Sequence, residues 1–266
     1  AAARNELPGL ESLAEGMWSF ALPTHGGHPA FNLCYLIADA AGDLLVLDPG
    51  TDSKANWEFF RHRLSEIGAH PDRVKTIVAT HLHPDHLGLA GRLREASGAQ
   101  LLLHHDEVRA TRDFRESAAR PDPQALAERW GVPATHRGRL ALSRRPARGI
   151  PSPVVDHACT TGDRLPVAGR ELQVIHTPGH TSGHLCIRDA DQRILFTGDH
   201  LLPTINSGIG LGGDAESNDL EAYLTSLETV SEFDDYEAAP GHEYQFRGIA
   251  ERCARVAAHQ LRRTRE

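Results

Sequence analysis

No uninterrupted apolar run in this chain approaches the roughly 20 residues that a membrane-spanning helix needs, so no membrane partner is expected. Cysteine is scarce: Cys34, Cys159, Cys186 and Cys253 stand far apart with no CxxC pair. That spacing excludes a zinc ribbon or a dithiol redox motif and fits reduced, buried thiols. Positive charge is also in deficit. Against 36 Asp and Glu there are 28 Lys and Arg, a net charge of −8, whereas nucleic-acid binding draws its affinity from an excess of Lys and Arg. No nucleic-acid partner is expected. The Gly-rich stretch Leu201 to Asp214 matches neither GxGxxG nor GxxxxGK[ST] and is not a phosphate loop; it reads as an irregular, mobile wall of a pocket. Ala1 to Gly9 lacks the basic start and apolar stretch of a secretion signal, and the expected compartment is the cytoplasm.

With 266 residues, 40% hydrophobic and 24% charged, the chain has the balance of an ordinary globular protein with a sizeable core. What stands out is 17 histidines.

Their density peaks at Thr80-His81-Leu82-His83-Pro84-Asp85-His86, directly after the apolar run Val74, Thr76, Ile77, Val78, Ala79. His and Asp favour neither a strand interior nor a dry core, and a divalent cation would organise them. In an extended segment, residues two apart point to one side, so His81 and His83 can reach one ion together. Pro84 then turns the chain, and Asp85 and His86 can face a second ion a few ångströms away.

The surrounding elements alternate. Phe31 to Ala38 and Asp43 to Leu47 are β-prone runs joined by Asp-Ala-Ala-Gly-Asp, and they predict an antiparallel hairpin. Ser53 to Ile67 predicts a helix with the core stripe Trp57, Phe60, Leu64, Ile67 and with His62 at the surface. Gly68 ends it, Val74 to Ala79 is the strand that delivers the metal loop, Leu87 to Ala96 is helical, and Ala99 to Leu103 is a buried strand. Strands follow at Leu165 to Val167, Glu171 to Ile175, Leu185 to Arg188 and Arg193 to Phe196. The helix carrying Leu220, Leu224 and Leu227, the short strand Tyr236 to Ala239 and the terminal helix Phe246 to Arg263 complete an α/β class. The spread of motifs argues for one domain over 1–266.

From about 104 to 153 the pattern breaks into Arg-rich helical pieces split by Pro121, Pro123, Gly131 and Pro133, the mark of an insertion. Two uses are open for its arginines: binding an anionic group, or lining a solvated helical face. The histidines of His25-Gly26-Gly27-His28-Pro29 either line the mouth of the site, His28 in particular, or are solvated.

The motif His81-Leu82-His83-Pro84-Asp85-His86 resembles the HxHxDH signature of the metallo-β-lactamase superfamily. Thr177-Pro178-Gly179-His180, Thr197-Gly198-Asp199 and Pro240-Gly241-His242-Glu243 follow in that family's order. The resemblance implies a four-layer αβ/βα sandwich with metals at one edge of its two sheets. It assigns His81, His83 and His180 to a first metal, Asp85, His86 and His242 to a second, and Asp199 to both. It also implies two divalent ions, Zn²⁺ by expectation with Fe or Mn also accepted by such ligands. Asp85 would orient a hydroxide held between the ions. The reaction implied is hydrolysis of a small-molecule thioester, ester or lactone.

Asp48, in an Asp-Pro-Gly turn like one the family carries near its metals, has two readings: a carboxylate holding a ligand His, or a turn residue bonding its own backbone. His184 is implied to be structural or to support a ligand. Asp199 separates the chain from the class B β-lactamases, which lack an Asp at that position. The Thr-Pro-Gly-His-Thr-Ser-Gly-His and Gly-His-Glu-Tyr segments resemble hydroxyacylglutathione hydrolases (glyoxalase II). Those enzymes bind glutathione with a C-terminal helical domain, whereas about 24 residues follow His242, so the insertion is expected to build the pocket and to serve as a lid. The alternative on the same fold is a mononuclear iron persulfide dioxygenase.

Overall fold

The computed structural model describes residues 7–24, 29–116, 128, 133, 134, 154–210 and 218–264. His28, and most of the stretch read as an insertion, lie outside them. The elements in chain order are β1 (Glu11–Ala14), β2 (Met17–Pro23), β3 (Phe31–Ala38), β4 (Leu44–Leu47), α1 (Lys54–Glu66), β5 (Val74–Val78), the single turn α2 (Pro84–Leu87), α3 (Ala90–Ser97), β6 (Gln100–His104), α4 (His105–Glu116), β7 (His157–Cys159), β8 (Leu172–His176), β9 (Leu185–Asp189), β10 (Ile194–Gly198), α5 (Asp219–Ser231), β11 (Glu237–Pro240) and α6 (Ile249–Arg263).

Among the described residues the strands form two mixed sheets, one ordered β1 to β7 in sequence and the other ordered β11-β10-β9-β8. Strand alternation builds the layers, because successive side chains point to opposite faces. In β3, Leu33, Tyr35 and Ile37 enter the core between the sheets, where they meet Val174, Leu185, Ile187 and Phe196. Cys34 and Leu36 face the other way, onto the layer of Phe60, Leu64 and Leu93 from α1 and α3. In the second sheet Cys186, Leu195 and Ala238 turn outward onto Tyr223, Leu227, Val230, Cys253 and Val256 of α5 and α6. The order is helices, sheet, sheet, helices, the four-layer arrangement expected.

Local signals set α1. The Ser53 side chain accepts the Asn56 N–H at 3.0 Å as its N-cap, and Gly68, at φ 71°, takes the left-handed position after its end. Phe60 and Leu64 are fully buried, each worth about 1.5–3 kcal/mol of transfer free energy. The predicted helix from Leu87 is two pieces: Pro84 opens the turn α2, and α3 starts only at Ala90, with Gly88 between them. Leu165 to Val167 is not a strand. Pro166 carries no N–H for a ladder; Leu165 N–H bonds across to Leu172 O, and Val167 N–H turns back onto Leu165 O. No described helix is long and apolar enough to cross a membrane.

Pairing directions put the loop ends together. β4, β5, β6 and β7 run parallel. In the other sheet β8 and β10 are each antiparallel to β9, and β11 is parallel to β10. The C-terminal ends of β8, β10 and β11 therefore share one edge. Leu185 N–H to Thr80 O (2.8 Å) and Leu33 N–H to Gly241 O (2.7 Å) tie the two sheets across it.

Candidate metal centre

Each of the seven residues assigned to metal follows a strand at that shared edge. His81, His83, Asp85 and His86 come after β5, His180 after β8, Asp199 after β10 and His242 after β11. The structure gathers their donor atoms into two groups, one of His81, His83, His180 and Asp199 and one of Asp85, His86 and His242. The resemblance divides the histidines and Asp85 in the same way and gives Asp199 to both sets.

In the first group His83 Nδ1 lies 2.8 Å from His81 Nε2 and 3.2 Å from His180 Nε2. In the second, His86 Nε2 and His242 Nε2 are 3.3 Å apart, and Asp85 Oδ2 is 3.5 Å from His242 Nε2 and 4.0 Å from His86 Nε2. Asp199 stands between them. Its Oδ2 is 3.6 Å from His180 Nε2, while its Oδ1 is 3.2 Å from His242 Nε2 and 3.4 Å from His86 Nε2. Gly241 makes that approach possible: a Cβ there would stand 2.6 Å from His86 Cε1 and 2.7 Å from Asp199 Oδ1.

The outer hydrogen bonds fix which ring nitrogen carries the proton. His86 Nδ1 faces Asp48 Oδ2 at 2.8 Å, His180 Nδ1 faces Gly208 O at 2.7 Å, and His242 Nδ1 faces Phe31 O at 2.6 Å. His81 Nδ1 lies 3.0 Å from Thr80 Oγ1, whose own proton goes to Asp48 Oδ2 at 2.9 Å. With a cation bound, all four rings would donate from Nδ1 and offer an Nε2 lone pair inward, the usual arrangement of a metal-binding His. Asp48 turns its carboxylate to His86 rather than to its own backbone. Its carboxylate also accepts the Thr80 N–H at 2.7 Å, and its φ of 54° is the strained left-handed conformation for a non-glycine residue. His184 is not a member of either group; its Nδ1 faces Thr177 Oγ1 at 2.9 Å, and its Nε2 accepts the Asp199 N–H at 3.1 Å.

This donor set fits a cation. Asp199 Oδ1 is buried with no hydrogen-bond donor, although it faces two imidazole nitrogens. A carboxylate lone pair converging with two ring lone pairs is repulsive unless positive charge sits among them. The titration directions say the same. Burial, followed by the neighbouring rings His86, His83 and His180, holds His81 well below its ordinary pKa. Burial and then His180 bring His83 down to about 4. Burial also lowers His180. His86 goes the other way: burial works against its charge, but Asp199, Asp48 and Asp85 together raise its pKa well above the usual range. Asp199 likewise lifts His242 over its burial cost. Asp199 stays ionised despite its burial because His242 and His86 hold its pKa well below the carboxylate range. Asp85 has an outward side, with a side chain 27% exposed, and His83 is partly exposed as well.

Two participants were given no role by the sequence. Thr80 relays between His81 and Asp48. Glu107, in the first turn of α4, lies in the region read as insertion; burial raises its carboxyl to about 7. The expected mobile wall is tied down in its described part, 201–210. There the Glu243 carboxylate accepts Thr204 N–H at 2.9 Å and Ile205 N–H at 3.2 Å. The buried Arg252 donates to Leu202 O at 2.6 Å. His200 is fully buried with neither ring nitrogen bonded and packs at 4.9 Å from the Tyr223 ring, outside both groups. A further grouping, His104, His105 and Asp106, has its His104 Nδ1 already accepting the Asp106 N–H at 3.2 Å.

The chain belongs to the metallo-β-lactamase superfamily, whose profile matches residues 27–242. Among its relatives is the acyl-coenzyme A thioesterase MBLAC2 of Gallus gallus, 28% identical over 231 residues, which are 82% of this chain and 74% of that protein. A hydroxyacylglutathione hydrolase of Polaromonas sp. (strain JS666) is 27% identical over 222 residues, 82% of this chain but 64% of the hydrolase. The match thus spans less than two thirds of that enzyme's length. Of solved structures, the metallo-beta-lactamase family protein TTHA1429 from Thermus thermophilus superposes with a TM-score of 0.79 at 28% identity, over 95% of this chain and 81% of that one.

Proposed function

We propose that this protein is a dinuclear metal-dependent hydrolase of thioesters, with esters and lactones as related substrates. The observation that carries the reading is Asp199, which turns one carboxylate oxygen toward each of the two histidine groups, Oδ2 to His180 at 3.6 Å and Oδ1 to His242 at 3.2 Å. His81, His83 and His180 would hold one ion, Asp85, His86 and His242 the other, and Asp199 both. The relatives named as an acyl-coenzyme A thioesterase and a hydroxyacylglutathione hydrolase support the thioester class.

Divalent ions bound there would supply Lewis acidity and a nucleophile at neutral pH, since metal binding lowers the pKa of water from 15.7 to about 7. The chain does the rest. Asp85, on the outward side, is placed to orient the attacking water and to accept its proton. Asp48 and the Phe31 carbonyl keep His86 and His242 in the tautomer that offers Nε2. The water oxygen bonds to the acyl carbon, the C–S bond breaks, and the departing thiolate needs no protein acid, because thiols ionise near pH 8.5.

Incubation with acyl-coenzyme A and acylglutathione thioesters, read by thiol release, tests this. Release that stops on chelation and returns with added zinc is expected. Zinc-loaded protein that cleaves no thioester, ester or lactone would overturn the reading.

A further inference from the structure

The Glu107 carboxylate is fully buried, faces no cation among the described residues, and accepts from backbone with both oxygens. Oε2 accepts the Leu82 N–H at 2.8 Å and Oε1 the Gly183 N–H at 2.7 Å. Leu82 lies between His81 and His83, and Gly183 lies between His180 and His184. The two loops leave different sheets, one from β5 and the other from β8. Close to these bonds the sheets share one backbone tie, Leu185 N–H to Thr80 O.

The fit is tight. A Cβ on Gly183 would come within 2.6 Å of Glu107 N and 2.7 Å of Glu107 Cγ, so the loop of His180 can press onto α4 only because residue 183 has no side chain. An apolar residue could fill the volume of Glu107. It would leave two buried N–H groups without acceptors, which is costly. A buried carboxylate is itself costly, and its return here is a fixed separation between two loops. Through His184, which follows Gly183 and accepts the Asp199 N–H, the same tie reaches the residue shared by both groups.

We propose that Glu107 is a positioning residue for the metal centre: it clamps the His81/His83 loop to the His180 loop and so sets where His81 Nε2, His83 Nδ1 and His180 Nε2 converge. The proposal rests on the metal reading given above.

The test uses Glu107→Gln, which keeps the volume but turns an NH₂ toward one of the two N–H groups, and Glu107→Asp, which keeps the charge but shortens the reach. Amide hydrogen exchange is measured in metal-free protein, and zinc binding is measured by titration. In both variants the Leu82 and Gly183 amides should exchange faster, by about tenfold in Glu107→Gln, as expected when a buried donor loses its acceptor, with β3 and β4 as protected as in wild type. The zinc ion held by His81, His83 and His180 should bind about tenfold more weakly, and the one held by Asp85, His86 and His242 unchanged. Unaltered exchange at both amides, or loss of protection spread evenly over the chain, would overturn the proposal. A wild-type protein that binds no zinc would defeat the metal reading, while the exchange contrast would still decide the clamp.

Discussion

The substitution Asp48→Asn removes one charge and replaces one of the two acceptor oxygens by an NH₂ donor at the most heavily used outer residue of the site. Asn shares with Asp a tolerance of the left-handed backbone, so the φ of 54° at this position is kept. The wild-type carboxylate accepts three donors, Thr80 N–H at 2.7 Å, Thr80 Oγ1–H at 2.9 Å and His86 Nδ1–H at 2.8 Å. With the amide oxygen on Thr80 N–H, the NH₂ faces Thr80 Oγ1 and His86 Nδ1 and must donate to the ring. The His86 proton then moves to Nε2, the atom aimed at His242 and Asp199, and that ring can no longer ligate. Loss of an outer partner typically weakens metal binding 10- to 100-fold, or about 1.4–2.7 kcal/mol. The hydroxyl left without its acceptor costs about 1–3 kcal/mol of stability, and in a chain of this size each kcal/mol moves Tm by about 2–4 °C. Competition against a chromophoric chelator reads the affinity and calorimetry reads Tm. Two zinc ions held by Asp48→Asn at wild-type affinity would refute the argument that Asp48 sets the His86 tautomer.

Replacing His242 by Ala should lower bound metal from two ions to one per chain; unchanged stoichiometry in elemental analysis would place the second ion elsewhere. Asp85→Ala should lower kcat by about 10²- to 10⁴-fold, the usual worth of a positioned base, with the circular dichroism spectrum retained, and near-wild-type turnover would remove Asp85 from its role. Metal-free protein should lose stability as pH falls. His83, whose folded pKa is lowered to about 4, and His200, lowered to about 3, stay neutral while the unfolded chain takes up protons below about 6.5. His86 and His242, raised in the folded state, oppose this in part, since their contribution is full below about 6.5 and fades as pH rises through their folded values. Urea midpoints that do not fall between pH 6.5 and 4 would contradict the burial of neutral rings.

Much of this was legible in the sequence where the signal was local. The β3–β4 hairpin, α1 with Gly68 after it, and β5 delivering a His-rich loop follow from alternation, the apolar stripe and turn residues; Ser53, read as the first helical residue, is the N-cap. β1 and β2 were not read: Glu11–Ala14 is exposed or half-buried, and Met17–Pro23 is buried on both faces, so neither alternates. β7 is three residues paired in parallel with β6, a partner that local pattern does not reveal. At the site, motif spacing and family resemblance named residues that the fold then gathers. What gathers them is non-local. The parallel pairing of β10 and β11 carries His242 to Asp199, and Glu107 joins two loops about a hundred residues apart in sequence, those of Leu82 and Gly183. A buried Glu in an Arg-rich stretch gives no hint of such contacts.

The most direct test of the central claim is elemental analysis of the purified protein, with turnover of a thioester followed on the same sample. Two zinc ions per chain, and thiol release that scales with the second ion, is the result expected from Asp199 shared between two donor groups. A single iron per chain with oxygen uptake would contradict it and assign the fold to persulfide oxidation instead.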